Sequence, residues 1–115
     1  MQCNTLLILD RAYEATKYAY IALKYFPKSE KHVLAADIRQ DFYKMIELMI
    51  IANKKRSKLH DLFQLDVHLN GLQYKVRLAK DFAYIPFKKY EILSEKLSEI
   101  GKMLGGWIKN QKGQC

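Results

Sequence analysis

Histidines, cysteines and carboxylates are the residues of this chain that could support catalysis or bind a metal. The three histidines are His32, His60 and His68. None has an acidic residue three positions before it, so the Glu-x-x-His motif of di-iron helix bundles is absent. His60, Gln64 and His68 share one helical face and could hold a weak metal, but solvated surface histidines are the simpler interpretation. We therefore predict no bound metal and no cofactor.

The carboxylates and thiols give no stronger indication of catalysis. Glu91, Glu95 and Glu99 form a row, but lysines surround them, which is typical of ion pairing on an exposed helix. Cys3 and Cys115 lie at the two ends and make neither a disulfide framework nor a metal set. No nucleophile elbow, P-loop or dinucleotide-binding motif occurs. The sequence predicts a protein that is not an enzyme, and its sparse cysteines favour the reducing cytoplasm.

Basic residues give the clearest functional signal, since the net charge is +8. A charge of this sign favours an acidic partner such as nucleic acid, although lysines also solubilise helix surfaces. One basic cluster lies where a predicted helix ends, so it either complements the negative helix terminus or binds phosphates. A second set, with Gln73 and Tyr84, forms a polar stripe on the next helix, either solvated or suited to nucleic acid. The candidate nucleic-acid contacts are Lys54, Lys55, Arg56, Lys58, Arg77 and Lys80.

Four stretches with helical spacing of apolar residues must position these side chains. We predict helices over residues 5–26, 29–55, 58–84 and 86–110. The first carries two neighbouring stripes, so its apolar band is wider than one bundle face needs. One stripe is Leu6, Leu9, Tyr13, Thr16, Tyr20 and Leu23, and the other is Ile8, Ala12, Ala15, Ala19, Ala22 and Phe26.

Proline, serine and glycine mark the predicted boundaries. Pro27 ends the first helix, Ser29 is placed to cap the second, and Pro86 suits the first position of the fourth. Gly71 follows an asparagine and could mark a turn. However, the third stripe keeps its phase through Gly71, which predicts one continuous helix with a close backbone approach there. That stripe consists of Leu62, Leu65, Leu69, Leu72, Val76, Ala79 and Ala83.

These elements predict a single all-α domain over residues 1–115. Because the connections are short, neighbouring helices should be antiparallel, giving an up-down-up-down four-helix bundle. The longest apolar run, residues 45–52, contains Glu47 and is too short to span a bilayer. We expect no membrane association.

Four motifs in this order resemble a known family. They are Phe-Pro-Lys-Ser-Glu at 26–30, Ile-Ala-Asn at 51–53, Arg-Leu-Ala-Lys-Asp at 77–81 and Glu-Ile-Gly-Lys-Met-Leu-Gly-Gly-Trp at 99–107. Together they resemble the four-helix-bundle accessory variability determinants of diversity-generating retroelements. The likeness extends over residues 5–110. A related group, the proteins encoded by intervening sequences in large ribosomal RNA, shares Phe-Pro-Lys of the first motif and Glu-Ile-Gly-Lys-Met-Leu of the last. It carries an Ala-Asn-Ile-Ala-Glu-Gly-like motif where this chain has Ile-Ala-Asn-Lys-Lys-Arg, which favours the retroelement family.

The resemblance implies a barrel-like homopentamer with a basic surface and no catalytic activity of its own. It also implies that the protein binds a reverse transcriptase and RNA or DNA, and so supports error-prone copying of a template RNA into cDNA. The wide apolar band of the first helix agrees with an oligomer, because one stripe can face a neighbouring subunit. The alternative hypothesis is a purely structural oligomer of the ribosomal intervening-sequence type.

Overall fold

The computed structural model describes residues 5–112, and Cys3 and Cys115 lie outside them. Within this range the chain forms four α-helices and no strand, which confirms the predicted all-α fold. The helices are α1 (Thr5–Leu23), α2 (Leu34–Lys54), α3 (Leu59–Asp81) and α4 (Phe87–Lys112). None of them combines the length and the apolar character that a membrane crossing requires.

Each helix packs against its two neighbours in a closed ring, in which α4 returns to α1. The contacts between α3 and α4 run in opposite chain directions. Gly101 lies beside Leu69, whereas Tyr90 lies beside Lys80. The same opposed order relates the other pairs: Arg11 with Glu99 and Tyr18 with Lys89 join α1 to α4, and Lys55 with Asp61 and Asp41 with Lys75 join α2 to α3. Adjacent helices are therefore antiparallel.

The core is continuous along the bundle and consists of one apolar stripe from each helix. The predicted stripe of α3 is buried except for Ala83, and α2 and α4 each bury one apolar stripe. Their fully buried members include Ile38, Phe42, Met45, Met49, Leu62, Leu65, Leu69, Leu72, Leu93, Leu97 and Ile100. Apolar burial of this kind is the main favourable contribution to folding.

Helix α1 buries the stripe that begins at Leu6 only in part but buries the alanine-rich stripe throughout. The buried residues on this side are mostly small: Ile8, Ala12, Ala15, Ala19 and Ala22. In the other stripe Leu6 remains 71% exposed and Tyr13 58% exposed, while Thr16 and Leu23 are buried. The Thr16 hydroxyl donates to the Ala12 carbonyl at 2.8 Å, which satisfies this buried polar group. The structure thus assigns the alanine stripe to the core and leaves bulky apolar residues outside.

The connection between α1 and α2 is longer than predicted. α1 ends at Leu23 rather than 26, and α2 begins at Leu34 rather than 29. Extended backbone at Pro27 lets its carbonyl accept from the Glu30 N–H at 2.9 Å, and this bond forms a short 3-10 helix, Lys28–Glu30. Ser29 lies inside that turn and does not cap α2, so the predicted cap is wrong.

Helix α3 ends at Asp81, three residues earlier than predicted, because Ala83 adopts a left-handed conformation with φ 59°. The Tyr84 N–H donates to the Ala79 carbonyl at 2.8 Å, and the Ala83 N–H donates to the Lys80 carbonyl at 2.9 Å. This pair of bonds is a Schellman motif, which reverses the chain at a helix end. Ala83 is consequently exposed, and its predicted place in the core stripe is wrong. α4 then begins at Phe87, directly after Pro86.

Helix α3 continues through Gly71, as predicted. The expected close backbone approach at this position is wrong, since no neighbouring atom lies within 4 Å of where a Cβ would stand. Gly71 is on the exposed side of the helix. α4 likewise continues past Gly105 and Gly106 to Lys112, two residues beyond its predicted end. These glycines lower helix propensity without serving the internal packing.

We predict that Leu69→Ala or Leu97→Ala lowers the free energy of unfolding by about 2–5 kcal/mol. Both leucines are fully buried, so truncation removes apolar contacts and leaves a cavity. Chemical denaturation monitored by circular dichroism measures the change. Val67→Ala is the matched control, because Val67 lies on the same helix as Leu69 but is 71% exposed. A loss below about 0.5 kcal/mol for both leucine variants would contradict this assignment of the core.

Candidate nucleic-acid interface

The Lys58 side chain serves the structure at the junction of α2 and α3. Its ammonium group donates to the carbonyl oxygens of Ala52 at 3.1 Å, Asn53 at 3.3 Å and Lys55. These carbonyls belong to the last turn of α2, where helical hydrogen bonding leaves acceptors free. The charge of Lys58 therefore closes the negative end of α2, in accord with the structural interpretation of this cluster.

Lys55 is also paired within the bundle. Its Nζ lies 3.2 Å from Oδ1 of Asp61, a residue only 6% exposed in the first turn of α3. A carboxylate there complements the positive start of the helix. Within residues 5–112, Lys54 and Arg56 are the members of this cluster that make no ion pair or side-chain hydrogen bond. Both are exposed, so they are its two free cations.

The second set of candidates lies beside an open groove between α3 and α4 with a volume of about 340 Å³. We call it the α3–α4 groove, and it is lined by Asn70, Gln73, Tyr74, Arg77, Tyr90 and Ser94. The guanidinium, two amides and hydroxyl groups supply hydrogen-bond donors. Tyr74 is 71% exposed and presents an aromatic ring. The groove thus combines charge, donors and an aromatic surface along one helix pair.

The sequence predicts only part of the α3–α4 groove. Gln73 and Arg77 were predicted, whereas the other four lining residues were missed: Asn70, Tyr74, Tyr90 and Ser94. Asn70 and Tyr74 precede Arg77 by seven and three residues, a helical spacing that places them on one face and that could have revealed them. Ser94 belongs to α4, so its position beside Arg77 depends on how the two helices pack.

Lys80 lies at the edge of this groove. Its Nζ is 5.0 Å from the centre of the Tyr90 ring and 3.1 Å from Oδ1 of Asp81. Both contacts hold the cation against the bundle. Tyr84, which the sequence placed on the same polar stripe, instead packs against Phe26 with ring centres 5.3 Å apart. Tyr84 therefore belongs to the packing at the end of the bundle.

The structure separates the predicted contacts into two surfaces. Lys58 immediately precedes α3, and Arg77 lies near the other end of that helix. At a rise of about 1.5 Å per residue, some 30 Å separates them. The cluster at the α2–α3 connection and the α3–α4 groove therefore cannot contact the same nucleotide.

The histidines and acidic residues have structural contacts. Nε2 of His68 lies 2.8 Å from the Asp41 carbonyl oxygen, and because a carbonyl only accepts, Nε2 donates this bond from α3 to α2. The expectation that His68 is a solvated surface residue is therefore wrong, although His60 is exposed. Glu91 pairs with Lys88, and Glu99 pairs with Arg11 of α1. Residues 5–112 contain no group of three or more His, Cys, Asp or Glu side chains that could hold a metal.

These features define an antiparallel four-helix bundle with free cations and an open polar groove on its surface. Residues 6–111 match the family model described as bAvd-like, and the chain therefore belongs to the bAvd-like family. This match confirms the resemblance to accessory variability determinants, a family of accessory, non-catalytic type. No curated protein matches the chain.

We predict that Lys58→Met destabilises the bundle by about 1 kcal/mol, because it leaves carbonyls at the end of α2 without their cation. Lys54→Met removes the same charge from an exposed side chain in the last turn of α2 that has no hydrogen bond or ion pair among the described residues, and it should cost less stability. Thermal unfolding of the two variants at equal protein concentration provides the comparison. Equal stability of the two variants would show that the Lys58 contacts contribute nothing.

Proposed function

We propose that this chain is a non-catalytic accessory protein of a diversity-generating retroelement that acts in the cytoplasm. In this proposal it binds the element's reverse transcriptase together with RNA or DNA and supports mutagenic cDNA synthesis. The observation that carries the proposal is the family match over residues 6–111, nearly the whole chain. The surface chemistry of the bundle adds independent support for the nucleic-acid part.

The α3–α4 groove has the composition expected of a nucleic-acid surface. Arg77 supplies a charge without an acidic partner among the described residues, and Asn70 and Gln73 supply amide donors. Phosphate contacts of this kind provide affinity with little dependence on sequence. The exposed Tyr74 ring provides an apolar surface on which a base can stack.

The distribution of ion pairs also favours an acidic partner. Several helix-surface lysines are neutralised locally, including Lys17 by Glu14 and Lys44 by Glu47. Within residues 5–112, nine cations make no side-chain hydrogen bond, ion pair or ring contact. They are Lys24, Lys28, Lys31, Arg39, Lys54, Arg56, Arg77, Lys102 and Lys109. These unpaired charges contribute to the excess of positive charge that attracts an acidic partner.

We further propose that five copies assemble into a homopentamer. Support comes from the outer side of α1, where Leu6 and Tyr13 are largely exposed. Tyr20 on α1 lies beside Tyr43 on α2, and two turns further along these antiparallel helices Tyr13 and Ile50 are level with each other. Ile50 is also exposed, so the halves of α1 and α2 nearest the α2–α3 connection present one apolar surface for a neighbouring subunit.

Replacing Arg77 and Lys80 together by alanine should weaken binding to RNA or DNA without unfolding the bundle, since neither side chain is in the core. A plot of log affinity against log salt concentration should become less steep, with its slope reduced by about 0.7–0.9 for each lost phosphate contact. Fluorescence anisotropy across a salt series measures both quantities. The variant should also lose support for cDNA synthesis by the cognate reverse transcriptase.

Lys102→Ala combined with Lys109→Ala is the matched control for this experiment, because it removes two free charges from α4. Unchanged binding of the Arg77/Lys80 variant at every salt concentration would exclude this surface. If the parent protein binds no nucleic acid even at low salt, the nucleic-acid proposal fails, and the structural-oligomer alternative is favoured.

Light scattering should give a particle of five times the 13.5 kDa mass of one chain at micromolar concentration. Tyr13→Glu should shift the particle toward the monomer, because it introduces a charge into the proposed apolar contact. Tyr25→Glu is a suitable control, since Tyr25 is similarly exposed but lies in the α1–α2 connection. A monomeric parent would contradict the proposed assembly.

A further inference from the structure

A second groove lies between α1 and α2, at the end of the bundle where these helices are joined. We call it the α1–α2 groove, and its volume is about 160 Å³. It is lined by Tyr20, Leu23, Lys24, Lys31 and Arg39. None of the three cations is among the contacts predicted from the sequence. Lys24 and Lys31 lie at the two ends of the α1–α2 connection and Arg39 in the second turn of α2, so only the fold brings them together.

The groove brings together three of the nine free cations of the described residues, and no acidic side chain there neutralises them. Lys24, Lys31 and Arg39 form no side-chain hydrogen bond, ion pair or ring contact there. Two acids lie in the same part of the sequence, Glu30 and Asp37. Neither lines the groove or comes within ion-pair distance of these cations, although other lysines of the bundle pair with acids three residues away. The groove therefore concentrates positive charge that an anion could neutralise.

The backbone at the start of α2 also favours an anion in this groove. The first hydrogen bond of α2 runs from the Asp37 N–H to the Val33 carbonyl at 3.0 Å, and no side chain caps this helix start. The start of a helix carries a positive partial charge. Lys31 lies just before this start and Arg39 lies in the second turn, so their charges add to that of the helix terminus.

Tyr20 gives the α1–α2 groove a second recognition element. Its side chain is 42% exposed, and the Tyr43 ring supports it with ring centres 6.4 Å apart. A partly exposed aromatic ring beside cations is the arrangement on which single-stranded nucleic acids stack their bases while their phosphates are neutralised. An inorganic anion would use only the cations, whereas a nucleotide would use both.

We propose that the α1–α2 groove binds a phosphate of single-stranded nucleic acid through Lys24, Lys31 and Arg39, with the adjacent base stacked on Tyr20. The phosphate site follows from the geometry of the groove, whereas the polymer that carries the phosphate rests on the proposed function. This site is separate from the α3–α4 groove, because the two grooves lie between different helix pairs on opposite sides of the bundle. A strand that occupies both must pass around one end of the molecule.

The test compares two triple variants of the full-length protein. In one, Lys24, Lys31 and Arg39 are replaced by glutamine. In the control, Lys88, Lys102 and Lys109 of α4 are replaced by glutamine, so the net charge falls by the same amount. Fluorescence anisotropy with a short oligouridylate should show about tenfold weaker binding for the groove variant. The dependence of log affinity on log salt should fall by about 0.7, as expected for one lost single-strand phosphate contact. Equal weakening by the two variants, or none by the groove variant, would overturn the proposal.

Tyr20 variants test the stacking contact separately. Tyr20→Leu should weaken oligouridylate binding, because a branched aliphatic chain offers no flat ring, whereas Tyr20→Phe should retain it. Neither variant should change binding of inorganic pyrophosphate, which has no base. If Tyr20→Leu binds the oligonucleotide as tightly as the parent, the stacking part of the proposal is wrong.

A titration with inorganic pyrophosphate makes the groove testable apart from the proposed function. In NMR spectra of the parent, the backbone amides of Lys31 and Arg39 should shift on titration, and the shifts should disappear in the groove variant. Absence of such shifts would overturn the phosphate site even if RNA binds elsewhere. If pyrophosphate causes these shifts but the oligonucleotide does not bind at low salt, the phosphate site is retained. Nucleic acid is then excluded as its ligand, and the nucleic-acid part of the proposed function fails. Circular dichroism of each variant verifies that the bundle is folded.

Discussion

The small side chains on the inner face of α1 are the constraint on which the rest of the structure depends. Ala12, Ala15, Ala19 and Ala22 are all fully buried between α2 and α4. Since the distance between packed helices is set by the side chains at their contact, an alanine face lets α1 approach its neighbours closely. Ile8 and Leu23, toward the two ends of the helix, are buried, but between them the inner face of α1 has room only for small side chains. Tyr13 and Tyr20 point outward for this reason, and α1 contributes to the surface as much as to the core.

Aromatic residues of the α1–α2 and α3–α4 connections close one end of the core. Phe26 is buried at the end of the bundle, where its ring meets that of Tyr84 in the α3–α4 connection. Tyr84 in turn contacts Phe82, with ring centres 5.4 Å apart. These rings close the apolar core at this end, so Lys24 and Lys31, which flank Phe26 in the sequence, are held outside beside α2. The positions of the α1–α2 groove cations thus follow from how the end of the core is sealed.

Periodicity alone was sufficient for the number of helices and for most of the core, because each core stripe of α2, α3 and α4 keeps one phase along its helix. Periodicity was insufficient for α1, because its two stripes have similar apolar character. Only the packing of the bundle places the alanine-rich stripe in the core. Helix ends were predicted less well, since they depend on single backbone conformations. Ala83 adopts positive φ although it is not glycine, and Ser29 lies in a turn created by Pro27. Neither feature has a periodic signal.

The candidate site shows the same division between local and tertiary information. A run of basic residues is visible in the sequence, but whether each charge is free depends on its partners in the fold. Lys55 and Lys58 lie within two residues of free cations in the sequence. In the fold, however, Lys55 pairs with Asp61, and Lys58 binds carbonyl groups at the end of α2. Lys24 and Arg39 are fifteen positions apart, yet they line one groove. The density of charge along the chain therefore overestimates the number of free cations at the α2–α3 connection, and it does not reveal the α1–α2 groove.

Both grooves lie toward the end of the bundle that contains the α1–α2 and α3–α4 connections. At the opposite end, the Lys55 and Lys58 contacts use positive charge to join helices, and the exposed apolar residues Leu6 and Ile50 lie in that half. Free cations lie in both halves of the bundle. Those toward the end with the grooves are Lys24, Lys28, Lys31, Arg39 and Arg77, and those in the other half are Lys54, Arg56, Lys102 and Lys109. An assembly with rotational symmetry formed through the surface of Leu6 and Ile50 would bring the groove-bearing ends of its subunits to the same side. The electrostatic field there would add over the subunits, because like charges held by rigid helices cannot move apart. A flexible polyanion spanning several subunits would then be held by many weak contacts, none of which needs to recognise a particular base.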